Sequence, residues 1–392
     1  MNQRFIALVT SALLIGGVFV VAPAQTRAAS ANVYIGFNAH TTGGSCANPD
    51  FTVDGTDDSA QIDLAAAGTK VGGTLHFCAG TFHMNEQVDF EGRDITLSGV
   101  SATKTILDGG ATWVDGAYVQ GGVTMFTNVK NLTVKKLTLT HGNAGIQTGE
   151  WLDGSVVVMD AVFAYNSGPN GAAIGTGGSV SVIRSTFIGN SVEGNGGAIA
   201  AEGDITISSS SFTNNTAVGG GGAVGGNNQV IVTKSKFIGN SATFGGAINA
   251  GTKATVTAST FTRNAATSDG GAVRSNTKAI IITSTFSRNT SDGYGGAVEA
   301  PSGTIRGSKF TKNTAVLNGG AVLFWVPSDV NVKVFTSTFV ENRADAGGGA
   351  ITLGYCETVK LATANKMLKA NTFTKNESQG TKNIERLTGF CD

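Results

Sequence analysis

The 392-residue sequence predicts an all-β protein that folds as a single right-handed parallel β-helix, or solenoid, with three strands per coil and a cap at each end. Three observations lead to this prediction. Glycine accounts for 56 residues, about twice the usual share, whereas charged residues are only 14%. Two short motifs recur together every 24–25 residues. Each repeat also contains short stretches in which apolar and polar residues alternate, as they do along a half-buried strand.

Residues 1–28 have the layout of a cleaved export signal. Arg4 supplies a short positive start, and an uncharged apolar run extends from Ile6 to Ala22. Two small-x-small candidates for the cleavage site are Ala22-Pro23-Ala24 and Thr26-Arg27-Ala28. This run is borderline for spanning a bilayer, and no other stretch could do so. The mature protein is therefore expected to be secreted or displayed at the cell surface, without a transmembrane segment.

Residues 29–70 are predicted to form the N-terminal cap, and residues 71–162 the opening coils. In the cap, Asp57, Asp58 and Ser59 can start a short helix that runs through Ala67 and ends at Gly68. The opening coils contain strand-like stretches bounded by turn residues, such as residues 73–82, 95–99 and 131–134. The predicted cap helix would cover the open end of the solenoid, where unpaired strand edges invite aggregation.

Residues 163–355 are predicted to form the repeat coils. Each copy carries Phe-x-x-Asn, and from Phe187 to Phe339 Gly-Gly-Ala-Ile/Val follows eight or nine residues after the Phe. A weaker copy, Gly171-Ala172-Ala173-Ile174, precedes them. In the copy at residues 270–294, strand alternation places Phe286, Ser284 and Ile281 inside. Like residues of successive coils should then stack as ladders. The ladder positions are Phe187, Asn190, Phe212, Asn215, Phe237, Asn240, Phe261, Asn264, Phe286, Asn289, Phe310, Asn313, Phe339 and Asn342.

The Asn and Gly-Gly positions are assigned to the corners of each coil. Asn tolerates the left-handed backbone conformation, and its amide can bond to the Asn one coil away. Gly-Gly permits positive φ and close approach of two backbone segments. Residues 356–392 break the period and are predicted to form the last coil and the C-terminal cap.

Four cysteines in an exported chain are predicted to form disulfides, with three possible connectivities. Cys46 and Cys78 lie near one end of the chain, and Cys356 and Cys391 near the other. Because the two ends of a rod are too far apart to be cross-linked, the prediction is Cys46–Cys78 and Cys356–Cys391. A metal site is not predicted, because the sequence has no Cys-x-x-Cys pair.

The paired repeat motifs resemble the repeats of chlamydial polymorphic outer membrane proteins, over about residues 163–376. This resemblance implies an exported surface or adhesin-like protein. The opening coils resemble those of pectin-lyase-like β-helices, with stretches such as Gly73–Phe82 and Ile95–Gly99. That resemblance implies a fold that often carries polysaccharide lyases and glycosidases.

An enzyme of either kind needs clustered carboxylates, either to hold calcium or to act as acid and base. Acidic residues are sparse in the repeats. Glu299 is expected to stack over Arg274 as an ion pair, and Asp269 and Asp292 are interpreted as solvated turn residues of adjacent coils. His141 is expected to be a surface residue without a partner. No catalytic residue, metal ligand or cofactor is therefore predicted.

Two outer features are candidate ligand contacts. Arg263, Arg288 and Lys312 occupy the same corner of three successive coils, where an anionic glycan could bind. Trp325 lies in a coil that is five residues longer than its neighbours. This apolar segment is either a contact site or folds back over its own coil.

The predicted function is non-catalytic: a monomeric surface or adhesin-like protein that binds a polysaccharide or cell-surface glycan through its outer faces. Lys and Arg total 27, as do Asp and Glu, so nucleic acid is not an expected partner. One alternative is a pectate lyase-like polysaccharide lyase or a glycoside hydrolase, by analogy of fold. A second is an ice-binding β-solenoid, because outward pairs such as Thr260 and Thr262 flank the ladder Phe.

Overall fold

The computed structural model describes residues 29–38, 43–110, 112–114, 117–119, 122–148, 154–326, 332–355, 368–379 and 384–388. Within these ranges the chain winds into a parallel β-helix, in which each coil adds one strand to each of three long sheets. The predicted fold class is confirmed. No helix among the described residues is long and apolar enough to cross a membrane, and the predicted export signal at 1–28 lies outside them.

The first long sheet has mainly Ile and Val on its inner face, and we call it the Ile/Val sheet. Its 14 strands, in sheet order, are Phe51–Thr52, Ser30–Gly36, Thr69–Phe77, Ile95–Ser98, Leu132–Lys135, Val156–Met159, Val180–Ile183, Ile205–Ser208, Val230–Thr233, Lys253–Thr257, Lys278–Ile282, Ser302–Arg306, Lys333–Phe335 and Leu368–Lys369.

The second long sheet carries the Phe ladder and is called the Phe sheet. Its 12 strands are Gly80–His83, Thr105–Asp108, Thr138–Thr140, Val162–Ala164, Thr186–Ile188, Ser211–Thr213, Lys236–Ile238, Thr260–Thr262, Thr285–Ser287, Lys309–Thr311, Thr338–Val340 and Thr372–Thr374.

The third long sheet includes the strands that follow Gly-Gly-Ala and is called the Gly-Gly sheet. Its 12 strands are Val88–Asp89, Phe126–Thr127, Ile146–Gln147, Ile174–Thr176, Ile199–Ala201, Val224–Gly226, Ile248–Ala250, Val273–Ser275, Val298–Ala300, Val322–Val326, Ile351–Tyr355 and Ile384–Thr388.

A fourth, short sheet joins the Phe sheet to the Gly-Gly sheet and was not predicted. Its eight two-residue strands follow the ladder Asn, where the chain is extended for only two residues before the glycine corner. These strands are Ser167–Gly168, Ser191–Val192, Thr216–Ala217, Ser241–Ala242, Ala265–Ala266, Thr290–Ser291, Thr314–Ala315 and Arg343–Ala344. Outside the solenoid sheets, Thr112–Val114 and Ala117–Val119 form an antiparallel hairpin.

The predicted Phe ladder is confirmed and fills the core. Consecutive rings from Phe163 to Phe339 have centroids 4.6–5.0 Å apart and planes within 6° of parallel. This spacing equals the distance between neighbouring strands, because like residues occupy the same position of each coil. Ser284 and Ile281 are also buried, as the alternation predicts.

The Asn ladder is confirmed, but the predicted left-handed conformation of the Asn itself is wrong. Asn264 is fully buried, and its Nδ2 donates to Asn289 Oδ1 at 2.9 Å. The positive φ instead occurs one residue earlier, for example 55° at Arg263 and 54° at Arg288. The backbone N–H of Asn264 also donates to Asn289 Oδ1, at 3.0 Å. The bend before the Asn therefore lets this backbone group and the amide share one acceptor.

The two glycines of each Gly-Gly corner have the two predicted roles. Gly270 has φ of 66°, a conformation that disfavours any residue with a Cβ. Gly271 has no positive φ, but a Cβ added there would lie 2.2 Å from the carbonyl oxygen of Gly296 in the next coil. One glycine therefore permits the turn and the other permits close packing of successive coils.

The predicted N-terminal helix forms with the expected bounds, Ser59–Ala67, and buries Ile62 against the first strands. Its predicted side-chain cap is absent, however. Asp58 instead accepts hydrogen bonds from the backbone N–H groups of Gly55 and His83, both at 3.0 Å. Asp58 thus ties the turn before the helix to the Phe sheet.

The predicted Cys46–Cys78 disulfide is confirmed, with the two Cα atoms 5.4 Å apart. Both cysteines of the other predicted pair, Cys356 and Cys391, lie outside the described residues.

Removing the Cys46–Cys78 bridge with alanine at both positions is expected to lower the free energy of unfolding by about 3 kcal/mol. The bridge closes a 32-residue loop, and its loss frees that loop in the unfolded chain. Thermal unfolding would measure the effect, and hydrogen exchange should show faster opening of Ser30–Gly36 than of the central coils. An unchanged melting temperature would mean that the bridge adds no stability.

Candidate functional site

The outer face of the Gly-Gly sheet presents one side-chain position per coil in strict register. We call these positions the outer row. They are Gln147, Gly175, Ala200, Gly225, Asn249, Arg274, Glu299, Leu323 and Thr352. A second set, the turn row, lies five residues earlier in each coil. It consists of Asn170, Asn195, Gly220, Phe244, Asp269 and Tyr294. The two rows run side by side along the solenoid.

A groove of about 470 Å³ crosses the coils where the outer row is smallest. Its floor is formed by Gly175, Ala200 and Gly225, which project little or nothing from the sheet. The turn row forms one wall, and the residues after the outer row form the other. The lining residues are Gln147, Thr148, Pro169, Asn170, Gly175, Thr176, Gly177, Asn195, Ala200, Ala201, Glu202, Gly225 and Asn227.

The turn-row wall of the groove is held by side-chain amides. Asn170 Oδ1 accepts a hydrogen bond from the backbone N–H of Asn195 at 2.8 Å, and Asn195 Oδ1 accepts one from Gly220 at 2.7 Å. Gln147 Nε2 donates to the Asn170 carbonyl at 3.1 Å. Among the lining residues, Glu202 alone is charged. The groove therefore has a rigid, polar and nearly uncharged lining.

Beyond the groove the outer row becomes polar, and the predicted ion pair between Arg274 and Glu299 is confirmed. Arg274 Nε lies 3.2 Å from Glu299 Oε2 on the next strand. The guanidinium lies over the Phe244 ring, 4.8 Å from its centroid, in a cation–π contact. Glu299 is only 4% exposed, whereas Arg274 keeps 29% of its side chain exposed.

Burial raises the pKa of the Glu299 carboxyl from its ordinary 4.5 to about 7, and the nearby charge of Asp269 adds to this rise. The positive charge of Arg274 acts in the opposite direction, as does a hydrogen bond from the Trp325 side chain. Glu299 therefore exchanges its proton near neutral pH.

Three buried polar atoms of the outer row lack a hydrogen-bond partner. They are Asn249 Oδ1, Arg274 Nε and Glu299 Oε2, on three consecutive strands. The contact between Arg274 and Glu299 is thus close enough for an ion pair without being a well-aligned hydrogen bond. Buried polar groups in folded proteins are nearly always paired, so a run of three unpaired ones marks this part of the sheet.

The predicted ligand contacts lie in different places. Trp325 is half-buried and packs edge-on against Tyr294, with ring centroids 4.9 Å apart, so the long coil covers Glu299 of the preceding coil. Arg263, Arg288 and Lys312 are exposed at the corner before the ladder Asn and do not line the groove. Lys312 is paired with Glu341 at 3.3 Å.

Two expectations about polar residues need correction. His141 has partners: its Nδ1 lies 3.4 Å from Asp108 Oδ1, and its ring stacks on Tyr165. Asp269 is not simply a solvated turn residue. Its charge raises the pKa of Glu299, and its carboxylate accepts a hydrogen bond from the backbone N–H of Tyr294 at 3.1 Å.

Sequence reasoning missed the groove, although a signal was present. The residue directly after Gly-Gly-Ala-Ile/Val always points outward, and reading that column alone gives the outer row. The small residues Ala200 and Gly225 then stand out against Arg274 and Glu299.

Glu299 is expected to make stability depend on pH. Because its folded pKa lies above the unfolded value, the stability it contributes is full below about pH 4.5 and is lost as pH rises through about 7. The total loss is about 3 kcal/mol at 1.36 kcal/mol per pKa unit. Denaturant unfolding at pH 5 and pH 8 would measure it. Glu299→Gln should remove most of the difference, and an equal pH dependence in this variant would contradict the assignment.

The fold and the site define a parallel β-helix with a polar groove along one sheet. The Chlamydia polymorphic membrane protein repeat matches residues 184–202 and 283–301, so the chain carries repeats of this type. No curated protein matches the chain.

Two solved structures are similar to this chain. One is the catalytic unit of a thermostable GH87 α-1,3-glucanase from Streptomyces thermodiastaticus strain HF3-3. It has 12% identity and a TM-score of 0.35, with coverage of 84% of this chain and 68% of that one. The other is the Agl-KA catalytic domain, with 12% identity and a TM-score of 0.37, covering 86% and 66% respectively. We infer nothing about activity from these likenesses.

Proposed function

We propose that this protein is an exported, non-catalytic glycan-binding β-helix protein of the cell surface or the surrounding medium, and that it holds a polysaccharide in the groove over Gly175, Ala200 and Gly225. The observation that carries the proposal is the groove itself. It runs from coil to coil along the sheet, so it suits a linear polymer, and amides and hydroxyls line it. Such groups exchange hydrogen bonds with sugar hydroxyls.

Two further observations support export. The Cys46–Cys78 disulfide is of a kind that persists in oxidising compartments. The repeats match a family whose name places it in a membrane, which supports a position at the cell surface.

The lining favours an uncharged glycan. Glu202 is the single charged lining residue and is exposed at the rim. Nearby, the carboxylate of Asp204 accepts hydrogen bonds from Asn228 and Gln229 at 2.6 and 2.7 Å. An anionic polysaccharide would find these carboxylates and no lining cation to offset them. The predicted basic corner at Arg263, Arg288 and Lys312 would serve such a ligand, but it lies away from the groove.

The test is a panel of neutral and anionic polysaccharides presented to the purified protein. Ala200→Trp fills the floor from the outer face and should weaken binding of a neutral polysaccharide at least about tenfold, or 1.4 kcal/mol. Thr260→Trp is the matched control, because Thr260 faces outward on the Phe sheet and is likewise half-buried. Equal binding by the two variants would place the ligand elsewhere.

Detection of polysaccharide cleavage products would show that the role is not purely one of binding. New reducing ends would indicate a glycoside hydrolase, and unsaturated ends would indicate a lyase. Ice shaping without glycan binding would favour the third function considered from the sequence. We expect binding of a neutral polysaccharide without turnover.

A further inference from the structure

We propose that the groove selects a neutral glycan whose sugars carry acetamido groups, and that the side-chain amides of Asn170, Asn195 and Gln147 set this specificity. This inference rests on the proposed glycan binding. It deepens that proposal by naming the class of sugar and the groups of the groove wall that recognise it.

The hydrogen bonds of the turn row fix the orientation of two amides. Asn170 Oδ1 accepts from the backbone N–H of Asn195, and Asn195 Oδ1 accepts from that of Gly220. Because a backbone N–H can only donate, the oxygen of each amide must face it, and Nδ2 is the end that remains. Neither Nδ2 has a hydrogen-bond partner in the described part of the chain, and both side chains are exposed at the groove wall. The wall therefore offers two donor nitrogens of fixed orientation, one coil or about 4.8 Å apart.

Gln147 supplies a fixed acceptor at one end of the same wall. Its Nε2 donates to the Asn170 carbonyl, so Oε1 is the end of this amide that remains. The side chain lies across Gly175, where an added Cβ would be 2.3 Å from Oε1. Oε1 accepts no hydrogen bond from any described residue. A ligand at this end of the groove thus meets an acceptor on Gln147 and a donor on the neighbouring Asn170.

The hydroxyls of the opposite wall are already committed. Thr148 and Thr176 are at most 8% exposed, and Thr148 Oγ1 donates to Thr176 Oγ1 at 2.8 Å. Thr176 Oγ1 in turn donates to the Gly154 carbonyl at 3.1 Å and accepts from the Gly178 N–H at 3.0 Å. Asn227 on this side is exposed and makes no side-chain hydrogen bond to a described residue, so its amide is not held in one orientation. The donors of fixed orientation are therefore those of the turn row.

An acetamido group matches this pattern. Its carbonyl oxygen only accepts and its N–H only donates, so each suits a partner that cannot exchange the two roles. Its methyl group can rest on the small apolar surfaces of Ala200 and Pro169, which both line the groove. The group carries no charge, in keeping with a lining in which Glu202 alone is charged. A glycan with an acetamido group on each sugar would present these three features repeatedly along the coils.

The fold does not require the amide nitrogens at these two positions. Asp269 occupies the turn-row position of a later coil, and its carboxylate accepts a hydrogen bond from the backbone N–H of Tyr294 at 3.1 Å. This is the same bond to the next coil that Asn170 and Asn195 accept. A carboxylate therefore satisfies the backbone there, and Asn→Asp removes the donor while it keeps the structural bond.

The experiment compares two hexasaccharides by calorimetry on the full chain, one of β-1,4-linked N-acetylglucosamine and one of β-1,4-linked glucose. They differ only in the acetamido group. The N-acetylglucosamine hexamer should bind at least about tenfold more tightly, or 1.4 kcal/mol. Asn170→Asp combined with Asn195→Asp should abolish this preference. Because both ligands are neutral, the new carboxylates act through the lost donors rather than through repulsion of the ligand.

Two further variants keep the test decisive. Asn214→Asp adds the same carboxylate at an exposed Asn outside the groove, and should leave the preference unchanged. Gln147→Leu removes the acceptor and breaks one bond, to the Asn170 carbonyl, so it serves if the double Asp variant does not fold. It too should lose the preference. Thermal unfolding of each variant would show which of them are folded.

The outcomes separate the two proposals. If the glucose hexamer binds as tightly as the acetylated one, acetamido specificity is wrong and glycan binding in the groove stands. If the preference persists in the folded variants at positions 170, 195 and 147, these amides do not set it, and the inference is likewise wrong. If neither hexamer nor any polysaccharide of the panel binds, both proposals are wrong.

Discussion

Replacing Asn264 by alanine is expected to lower the free energy of unfolding by about 4 kcal/mol or more. The Asn264 side chain accepts hydrogen bonds from the backbone N–H and from Nδ2 of Asn240, at 3.0 and 2.9 Å. It also donates to the carbonyl of Phe237 at 3.0 Å. Alanine removes all three bonds from buried groups; Asn240 Nδ2 keeps its bond to the Phe212 carbonyl at 3.1 Å, whereas the Asn240 backbone N–H loses its acceptor. Each buried donor or acceptor left unsatisfied costs about 1–3 kcal/mol.

The loss of stability should be large even within a long repeat array, because the ladder is buried from water that could replace the lost hydrogen bonds. Asn264 and its neighbours Asn240 and Asn289 are all 0% exposed. Denaturant unfolding would measure the loss, together with hydrogen exchange of the coils on either side, since repeat arrays can open locally. The control is Asn214→Gly, an exposed Asn with φ of 53° that glycine adopts freely. This control should change stability by about 0.5 kcal/mol at most.

If Asn264→Ala and Asn214→Gly cost the same, the ladder bonds are no stronger than surface contacts. The Asn of each Phe-x-x-Asn motif would then serve only the bend that precedes it. That result would also remove the reason given for the position of the left-handed residue.

Much of the fold could be predicted because one physical rule repeats in every coil. The side-chain alternation that buries Phe261 also buries Ser259 and Val256, and a fixed period aligns them with their counterparts. The Cys46–Cys78 disulfide could be predicted from the rod shape of the solenoid, because Cys46 can reach only a cysteine at its own end of the rod. These predictions needed the register of a single strand and no knowledge of the neighbouring coils.

The candidate site could not be predicted in this way, because it depends on contacts between coils that differ. Glu299 is 4% exposed, and the Trp325 side chain of the next coil hydrogen-bonds to it. The raised pKa of Glu299 also requires Asp269 from the preceding turn, and alternation along one strand does not reveal that proximity. The prediction of a side-chain cap for the helix failed for a similar reason, since the Asp58 carboxylate accepts hydrogen bonds from the backbone N–H groups of Gly55 and His83 instead.

The left-handed corner was misplaced because the sequence gives no local sign of it. Asn is the residue best suited to positive φ, yet Arg263 and Arg288 adopt it instead. The ladder requires the Asn amide and its own backbone N–H to point toward the next coil. A tertiary hydrogen bond therefore overrides the local preference of the Asn, and the preceding residue takes the strain.

Phe261→Ala is expected to cost about 3–5 kcal/mol, as truncation of a fully buried Phe does. The ring is 0% exposed and lies between Phe237 and Phe286, each with its centroid 4.7 Å away. Alanine leaves a gap between two parallel rings that cannot close, because the backbones above and below are held by strand hydrogen bonds. Thermal and denaturant unfolding would measure the loss.

Thr260→Ala is the matched control, because Thr260 lies one residue away on the same strand with its side chain outward. It should stay within about 0.5 kcal/mol. Phe261→Leu should restore part of the lost stability, since leucine refills much of the gap without the ring contacts, which are worth about 0.5–1.5 kcal/mol per pair. Equal effects at positions 260 and 261 would mean that the in–out assignment of the Phe sheet is wrong. The outer row would still stand, because the Gly-Gly sheet has its own register and its own buried residue, Val273, beside Arg274.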